Sequence, residues 1–483
     1  MNLQGLPGGL YKPLTQKNIE TIHEASLLML QETGIAFEKG LEDTVSLLEQ
    51  NGAIVDHNKS RFFLPREMVQ TNIVKAPRQV LLHGRNKRQC LDLGENRVHL
   101  GTGGAAIKIL DPNTGEARST TLRDLYNISK LVDQLNNIHF LVRPCIPTDI
   151  DEKDYDINMF YTCLSATDKH VMSGVNDEQG LRDVIELASM VAGSEEKLKK
   201  KPFISIITSF AISPLKLCTQ STKIMQEANR YSIPVALSSA PMAGSTSPFT
   251  MAGTLAQLHA EQLAGITICQ LTNPGAPILY GGIPGRANMA TMGYSGGAVE
   301  FGMMNAAIHQ MAHYIEIPNY NSSGLSDSKL PDAQAAWEKA FTTVLAVMGG
   351  SNYIHHAAGM LESMLTIAYE QYVIDDEIIG NACKVLKGIN VDAEHLAMET
   401  INAVGPGGNY MSSSHTMNHL RTEYFYGNGV TDSKIRDRWE KDGSEDARQR
   451  ALVIAKKLIN LERPPYFLED IDLAIRNRFK ILL

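Results

Sequence analysis

Apolar residues recur at helical spacing near the start of the chain. Ile19, Ile22, His23, Ser26, Leu27 and Leu30 form one stripe between Thr15, a suitable N-cap, and Gly34. A helix is therefore expected over 15–33. A second is expected over 40–51, ended by Asn51-Gly52. A third opens at Pro65 with Met68, Val69 and Ile73 on one face. VLLHGR (80–85) reads as a strand.

From about residue 98 the rhythm changes to short apolar runs between helical stretches. The runs are VHLG (98–101), HFLVRP (139–144), HVMSGV (170–175), FISIITS (203–209), PVALSSA (234–240), PILYGG (277–282), PNYNSS (318–323) and NYIHHAA (352–358). Amphipathic stretches at 121–137, 178–192, 219–231, 252–272, 297–314 and 331–349 separate most of them. Eight such runs predict an α/β fold, a TIM (β/α)8 barrel, in preference to an open doubly wound sheet. Several runs end in small or polar residues, which leaves room for a ligand at the C-terminal mouth.

A long helix is expected at about 361–387. Another is expected over 437–459, capped by Ser444, with Asp446 near its start and Lys456-Lys457 at its end. The chain thus divides into an N-terminal mixed helical extension (1–95), the barrel (96–390) and a C-terminal helical extension (391–483).

Composition narrows the function classes. The 483 residues carry 45 basic and 53 acidic side chains, a formal net charge of −8. Mild acidity argues against nucleic acid as a partner. Cys90, Cys145, Cys163, Cys218, Cys269 and Cys383 are scattered, with no C-x-x-C pair, so neither a disulfide scaffold nor a cysteine zinc site is expected. No apolar run reaches the ~18 residues of a membrane span, and the first residues show no signal-peptide pattern. A cytoplasmic location is expected.

Familiar catalytic motifs are missing. LGTGGAA (100–106) has Ala106 where a dinucleotide fingerprint needs its last glycine, and no P-loop or G-x-S-x-G elbow occurs. Cys145 and Cys269 lie in apolar surroundings and read as inert thiols. His355 and His356 are adjacent, and neighbours on a regular strand face opposite ways. They cannot share one ion without an irregular backbone. His415 and His419 stand four apart, but no third ligand is evident, so loop capping is the simpler role and no metal is expected.

Aromatic residues make up only 6% of the chain, yet Phe210, Tyr280, Tyr320 and Tyr353 fall at strand ends, and Tyr294 lies in the glycine-rich loop after strand six. Such rings suit a cation that cannot donate a hydrogen bond; on spacing alone, core filler is the simpler reading. Arg143 and Arg286 each suit either a carboxylate clamp or a structural ion pair.

Taken together, LTQKNIETIHEASLLMLQETGIAF (14–37), NGAIVD (51–56), LPREMVQTNIVKAPRQVLLHGR (64–85), LGTGGAAIKILDPNTGEARSTTLRDL (100–125), SGLSDSKLPDAQAAWEKA (323–340), GPGGNYMSSSHTMNHLRTEYFY (405–426) and DRWEKDGS (437–444) resemble the trimethylamine methyltransferase family. The resemblance covers about residues 14–460. It implies a TIM barrel that moves a methyl group from a methylated amine to the cobalt of a separate corrinoid-binding protein. The trimethylamine enzymes of this family carry pyrrolysine at the barrel mouth. An ordinary residue stands at the corresponding place here, near Lys329-Leu330.

Members without pyrrolysine look like demethylases of quaternary amines. The resemblance therefore implies glycine betaine as donor and dimethylglycine as product. Proline betaine, carnitine or butyrobetaine is the alternative donor, and a non-catalytic betaine-binding barrel is the alternative of a different class. No cofactor is expected to be held tightly, because the corrinoid (cobalamin) comes with the partner. A homo-oligomer is expected. On this reading Tyr280, Tyr294, Tyr320 and Tyr353 form a cation cage, with Phe210 as a further candidate. His355, His356 and Arg286 hold the carboxylate, with Arg143 in reserve. Gly101, Gly103, Gly104, Gly281 and Gly282 let the corrin approach, and no side chain acts as a catalytic acid or base.

Overall fold

The computed structural model describes residues 5–86, 90–463 and 465–483. Its centre is a closed ring of eight parallel strands. These are β1 (Arg97–Thr102), β2 (Leu141–Val142), β3 (Val171–Ser173), β4 (Ile204–Thr208), β5 (Val235–Leu237), β6 (Ile278–Gly281), β7 (Asn319–Ser322) and β8 (Tyr353–Ala358). Neighbours pair in sequence order, for example Val171 with Ile204 and Tyr280 with Asn319. β8 returns to β1 through Tyr353 and His99, and a Gly101–Phe140 bridge closes the ring. Each of the eight expected runs holds one of these strands. Parallel barrel strands are buried on both faces, so they read as unbroken apolar runs.

A helix follows every strand. In order they are α1 (Leu122–Gln134), α2 (Tyr155–Ala166), α3 (Glu178–Ala192), α4 (Thr219–Arg230), α5 (Met251–Thr272), α6 (Val299–Tyr314), α7 (Ala333–Gly349) and α8 (Tyr369–Lys387). The sequence pattern does not announce α2, and the reason is physical. Ten of its residues, from Asp156 to Ala166, are buried, so it has no polar face to reveal a period. The C-terminal tail covers it: the Tyr161 hydroxyl meets Asp472, and Asn158 donates to the carbonyl of Lys480 at 2.9 Å.

α8 begins at Tyr369, later than expected. Residues 360–367 instead form a hairpin, with Met360–Leu361 paired to Thr366–Ile367. Glu362, Ser363 and Met364 all have positive φ at its tip. This hairpin joins a second one, Lys108–Leu110 with Ala117–Ser119, at the mouth side of the barrel. The opposite end is plugged by a hairpin of Val80–His83 and Cys90–Leu93. Val80, Leu82, Leu91 and Leu93 from that plug join Phe140, Met172, Leu279 and Tyr353 in the core inside the barrel.

The first helix runs Gln16–Leu28, with Thr15 accepting from the amide of Asn18, and it packs on α5. Near the C-terminus the expected helix over 437–459 is two: Arg436–Lys441 and Ala447–Asn460. Ser444 is not the cap, because its φ of 57° belongs to the turn between them. Asp446 caps the second helix instead, accepting from the amide of Gln449, whose side chain bonds back to the amide of Asp446. Asp446→Ala is expected to cost about 1 kcal/mol locally. Hydrogen exchange at the first amides of that helix should accelerate about fivefold, whereas Ser444→Ala leaves it unchanged. Among the described residues, no helix is long and apolar enough to cross a membrane.

Candidate active site

All eight strand ends converge on one cavity of about 340 Å3. β1 contributes Gly104, β2 Val142 and Arg143, and β3 Ser173 and Gly174. β4 contributes Ile207 and Ser209, β5 Ser238, β6 Ile283, β7 Tyr320, and β8 both His355 and His356. Met364, at the tip of the hairpin before α8, reaches over it. A larger acidic groove of about 860 Å3 lies on the rim among Asp151, Glu152, Asp156, Asp177 and Asp183. The central cavity is the better candidate, because barrel chemistry sits where strand ends meet and polar groups converge there.

The two histidines face the cavity together, against the expectation for a regular strand. His356 has a φ of 61°, and the pairing of β8 with β1 shifts register between Ile354 and Ala358. The kink turns His356 inward beside His355, with ring centres 3.7 Å apart. Gly103 permits this: a Cβ there would stand 1.9 Å from the His356 ring. His356 Nδ1 is 2.8 Å from the hydroxyl of Ser322. Both ring nitrogens of His355 are buried without a hydrogen-bond partner. Desolvation drives the pKa of His355 well below its ordinary value and that of His356 to about 3. Both rings are neutral at physiological pH.

Arg143 is the one formally charged residue among those lining the cavity. Its Nε is buried without a hydrogen-bond partner, and the guanidinium lies 5.7 Å from the centre of the Tyr155 ring. Nearby, burial raises the pKa of Asp156 to about 6, although the amide of Asn176 and the charge of Arg143 pull the other way. Tyr320 stands edge-on to His355 at 4.8 Å, and its hydroxyl is 2.9 Å from that of Ser238.

Several expected site residues lie elsewhere. Tyr280 points outward, with its hydroxyl 2.8 Å from His259 Nδ1; His259 in turn meets His23 of the first helix. Phe210 packs on Gly265 of α5. Tyr353 lies deeper in the barrel, stacked on Phe140 at 3.6 Å. Tyr294 sits on the loop hairpin after β6, its hydroxyl 3.3 Å from the carbonyl of Ile283. Arg286 is on the surface, 49% exposed and 3.6 Å from Glu300, so the clamp role fails for it. A four-membered cage of tyrosines is therefore not assembled; Tyr320 alone of the five rings lines the cavity.

The glycines also divide. Gly104 lines the cavity. Gly101, Gly281 and Gly282 make room for barrel atoms: the Phe140 ring, the Tyr320 carbonyl and the Ser239 carbonyl, respectively. Lys329 is exposed and donates to the Asp327 carbonyl at 2.8 Å, and neither it nor Leu330 lines the cavity. Sequence reasoning missed Ser173, Ser209, Ile207, Ile283 and Met364, and it ranked Arg143 below Arg286.

Between α7 and α8, beside the ends of β7 and β8, lies a buried ion pair. Lys339 of α7 and Asp375 of α8 are both fully buried, 3.2 Å apart. Lys339 also donates to the carbonyls of Gly324 and Met360, while Asp375 accepts from the amide of Gly359 at 2.7 Å. The pair fastens the chain just after β7 and β8, where Tyr320, His355 and His356 are carried.

Comparison with known proteins agrees with this architecture. The sequence pattern described as trimethylamine methyltransferase matches residues 6–480. A trimethylamine methyltransferase of Desulfitobacterium hafniense (strain DSM 10664 / DCB-2) is 34% identical over 463 residues, 96% of this chain and 92% of that protein. A glycine betaine methyltransferase of D. hafniense (strain Y51) is 32% identical over 470 residues, 96% of each. The crystal structure of the Methanosarcina barkeri monomethylamine methyltransferase shares the fold, with a TM-score of 0.53 at 11% identity over 92% of this chain and 88% of that one. The chain, a closed eight-stranded barrel matched almost from end to end, belongs to the trimethylamine methyltransferase family.

Proposed function

We propose that the protein transfers a methyl group from glycine betaine to the cobalt(I) of a partner corrinoid protein, without pyrrolysine. One observation carries the choice of donor. The cavity lining holds a single formal charge, the cation Arg143, and no carboxylate. A bare methylammonium ion placed there would meet the charge of Arg143 and find no carboxylate in the lining to pair with, since Asp156 lies outside it. A zwitterion brings its own carboxylate to Arg143 and the neutral His355, and sets its methylated nitrogen toward Tyr320 and Met364. The volume, near the small end of the ~300–1,000 Å3 typical of ligand pockets, favours a short betaine over carnitine or proline betaine.

The reduced cobalt supplies a strong nucleophile, and the chain's residues supply position and desolvation. The carbon–nitrogen bond breaks as the methyl group passes to cobalt. The bonding pair stays on nitrogen, which leaves as the neutral tertiary amine of dimethylglycine. No proton moves, so the neutral histidines serve as hydrogen-bond partners rather than acids. Anchoring the carboxylate at Arg143 fixes which way the methyl groups point. The open C-terminal face is where the corrinoid partner would dock. A reducing cytoplasm belongs to this reading, supported by six cysteines that all stand unpaired.

A donor panel tests it. With free cob(I)alamin as acceptor, glycine betaine should give stoichiometric dimethylglycine, with proline betaine and carnitine slower and trimethylamine inert. Preference for trimethylamine sinks the donor assignment. Tight betaine binding with no transfer to any acceptor favours a binding barrel instead.

A further inference from the structure

We propose that His395, His419 and Glu423 bind a zinc-class divalent ion that staples the excursion following α8. The proposal is independent of the methyl-transfer reading. Not one of residues 387–429 is buried. Even so, this stretch is folded into three short helices, Ala393–Leu396, Met398–Val404 and Ser414–His419. Helices this short are marginal in water, and a coreless segment of some 40 residues needs a cross-link of another kind. The histidine–glutamate cluster joins the first of these helices, the third and the loop beyond them.

The geometry favours a metal over a set of surface ion pairs. One ligand atom from each of the three residues lies within 4.8 Å of the others, and the side chains of His395 and His419 are only 21% and 16% exposed. His395 Nδ1 is 2.7 Å from Asp392 Oδ1. That carboxylate–histidine contact fixes the tautomer and turns Nε2 toward the cluster, as the outer partners of metal-bound histidines do; an ion there would displace the side-chain amide of Asn390, now 3.3 Å from Nε2. His395 Nε2 faces Glu423 Oε2 at 3.8 Å. Glu394 Oε1, 3.4 Å from His419 Nε2, stands ready as a fourth ligand. Ligand atoms around tetrahedral zinc, bound at ~2.0–2.2 Å, stand about 3.3–3.6 Å apart, so the His419–Glu394 spacing already fits and binding draws the wider pairs, such as His395 and Glu423, inward. Two imidazoles among the donors select zinc over magnesium or calcium. His415, whose four-residue spacing from His419 is the signal visible in the sequence, is not a ligand: its Nε2 faces the Glu394 carbonyl at 3.2 Å. The loop is held on α8 by Lys384, which donates to the Glu423 carbonyl at 2.5 Å, and by Asn428, which donates to the Val373 carbonyl at 3.0 Å, so a bound ion would tie the first and third helices of the excursion to the barrel as well.

The test uses the full chain, stripped with chelator and titrated with Zn2+ by calorimetry and with Co2+ by absorption. One equivalent should bind, with a tetrahedral cobalt spectrum. Tryptic cleavage after Arg421 should slow about tenfold in zinc. His419→Ala and the isosteric Glu423→Gln should each weaken binding at least tenfold, and His415→Ala should not. Undiminished binding by the double variant His395→Asn/His419→Ala would place the ion elsewhere, on the cysteines for instance, and overturn the proposal. So would protection of Arg421 by self-association with no metal uptake.

Discussion

Arg143→Ala is expected to weaken glycine betaine binding roughly 30–150-fold, as loss of a charge-assisted hydrogen-bonding partner costs about 2–3 kcal/mol. The loss should appear mainly in KM. The carboxylate is held equally before and during methyl transfer, so its anchor contributes uniform binding. Arg143→Lys should recover part of the affinity, because charge returns without the planar fork. Arg286→Ala should do nothing, since that side chain pairs with Glu300 on the surface. The pH dependence discriminates further. His355 and His356 have pKa values lowered by burial, to about 3 for His356. They stay neutral from pH 6 to 9, and Asp156, whose pKa burial raises to about 6, is the one group described beside Arg143 that titrates near that range; betaine affinity should therefore be flat from about pH 7.5 to 9. An inflection near the ordinary histidine value of ~6.5 that persists in Asp156→Asn removes the neutral histidines from the clamp, and an unchanged KM in Arg143→Ala removes Arg143.

The barrel was legible in the sequence because each strand, buried on both faces, reads as an apolar run set off by turns. That same property hid the site. Where both faces are apolar, the pattern does not reveal which residues of a run point inward. Tyr280 and Tyr320 occupy look-alike places before small residues, yet one faces α5 and the other the cavity. His355 and His356 defeat alternation altogether, since the positive φ of His356 sends both inward. On the sequence alone Arg286 stands ahead of Arg143, and the fold reverses that order by giving Arg143 a cavity and Arg286 the surface partner Glu300. Met364 belongs to a hairpin that looked like the first turn of α8. The His395 cluster was half visible, because its members come together through a turn that no local period encodes.

Lys339→Met should be the most destabilising single change. It leaves the Asp375 carboxylate buried with no counter-ion, and breaking such a pair costs about 3–5 kcal/mol. Burial already lowers the pKa of Lys339 and raises that of Asp375, each opposed by attraction to the other. Without the lysine, Asp375 takes up a proton rather than remain an isolated anion. The unfolding entropy of a chain this size, about 1 kcal/mol per degree from ~2.1 cal/mol/K per residue, turns the loss into a melting temperature lower by about 3–5 °C. The double variant Lys339→Met/Asp375→Leu should regain most of it, because an apolar pair of similar volume needs no counter-ion. Activity separates the two effects. Lys339 also holds the carbonyls of Gly324 and Met360, just beyond the strand ends that carry Tyr320, His355 and His356. The double variant should therefore recover its melting temperature and still bind betaine poorly. If the single variant melts with the native protein, the pair contributes no net stability; if the double variant regains both stability and binding, the pair does not position the site.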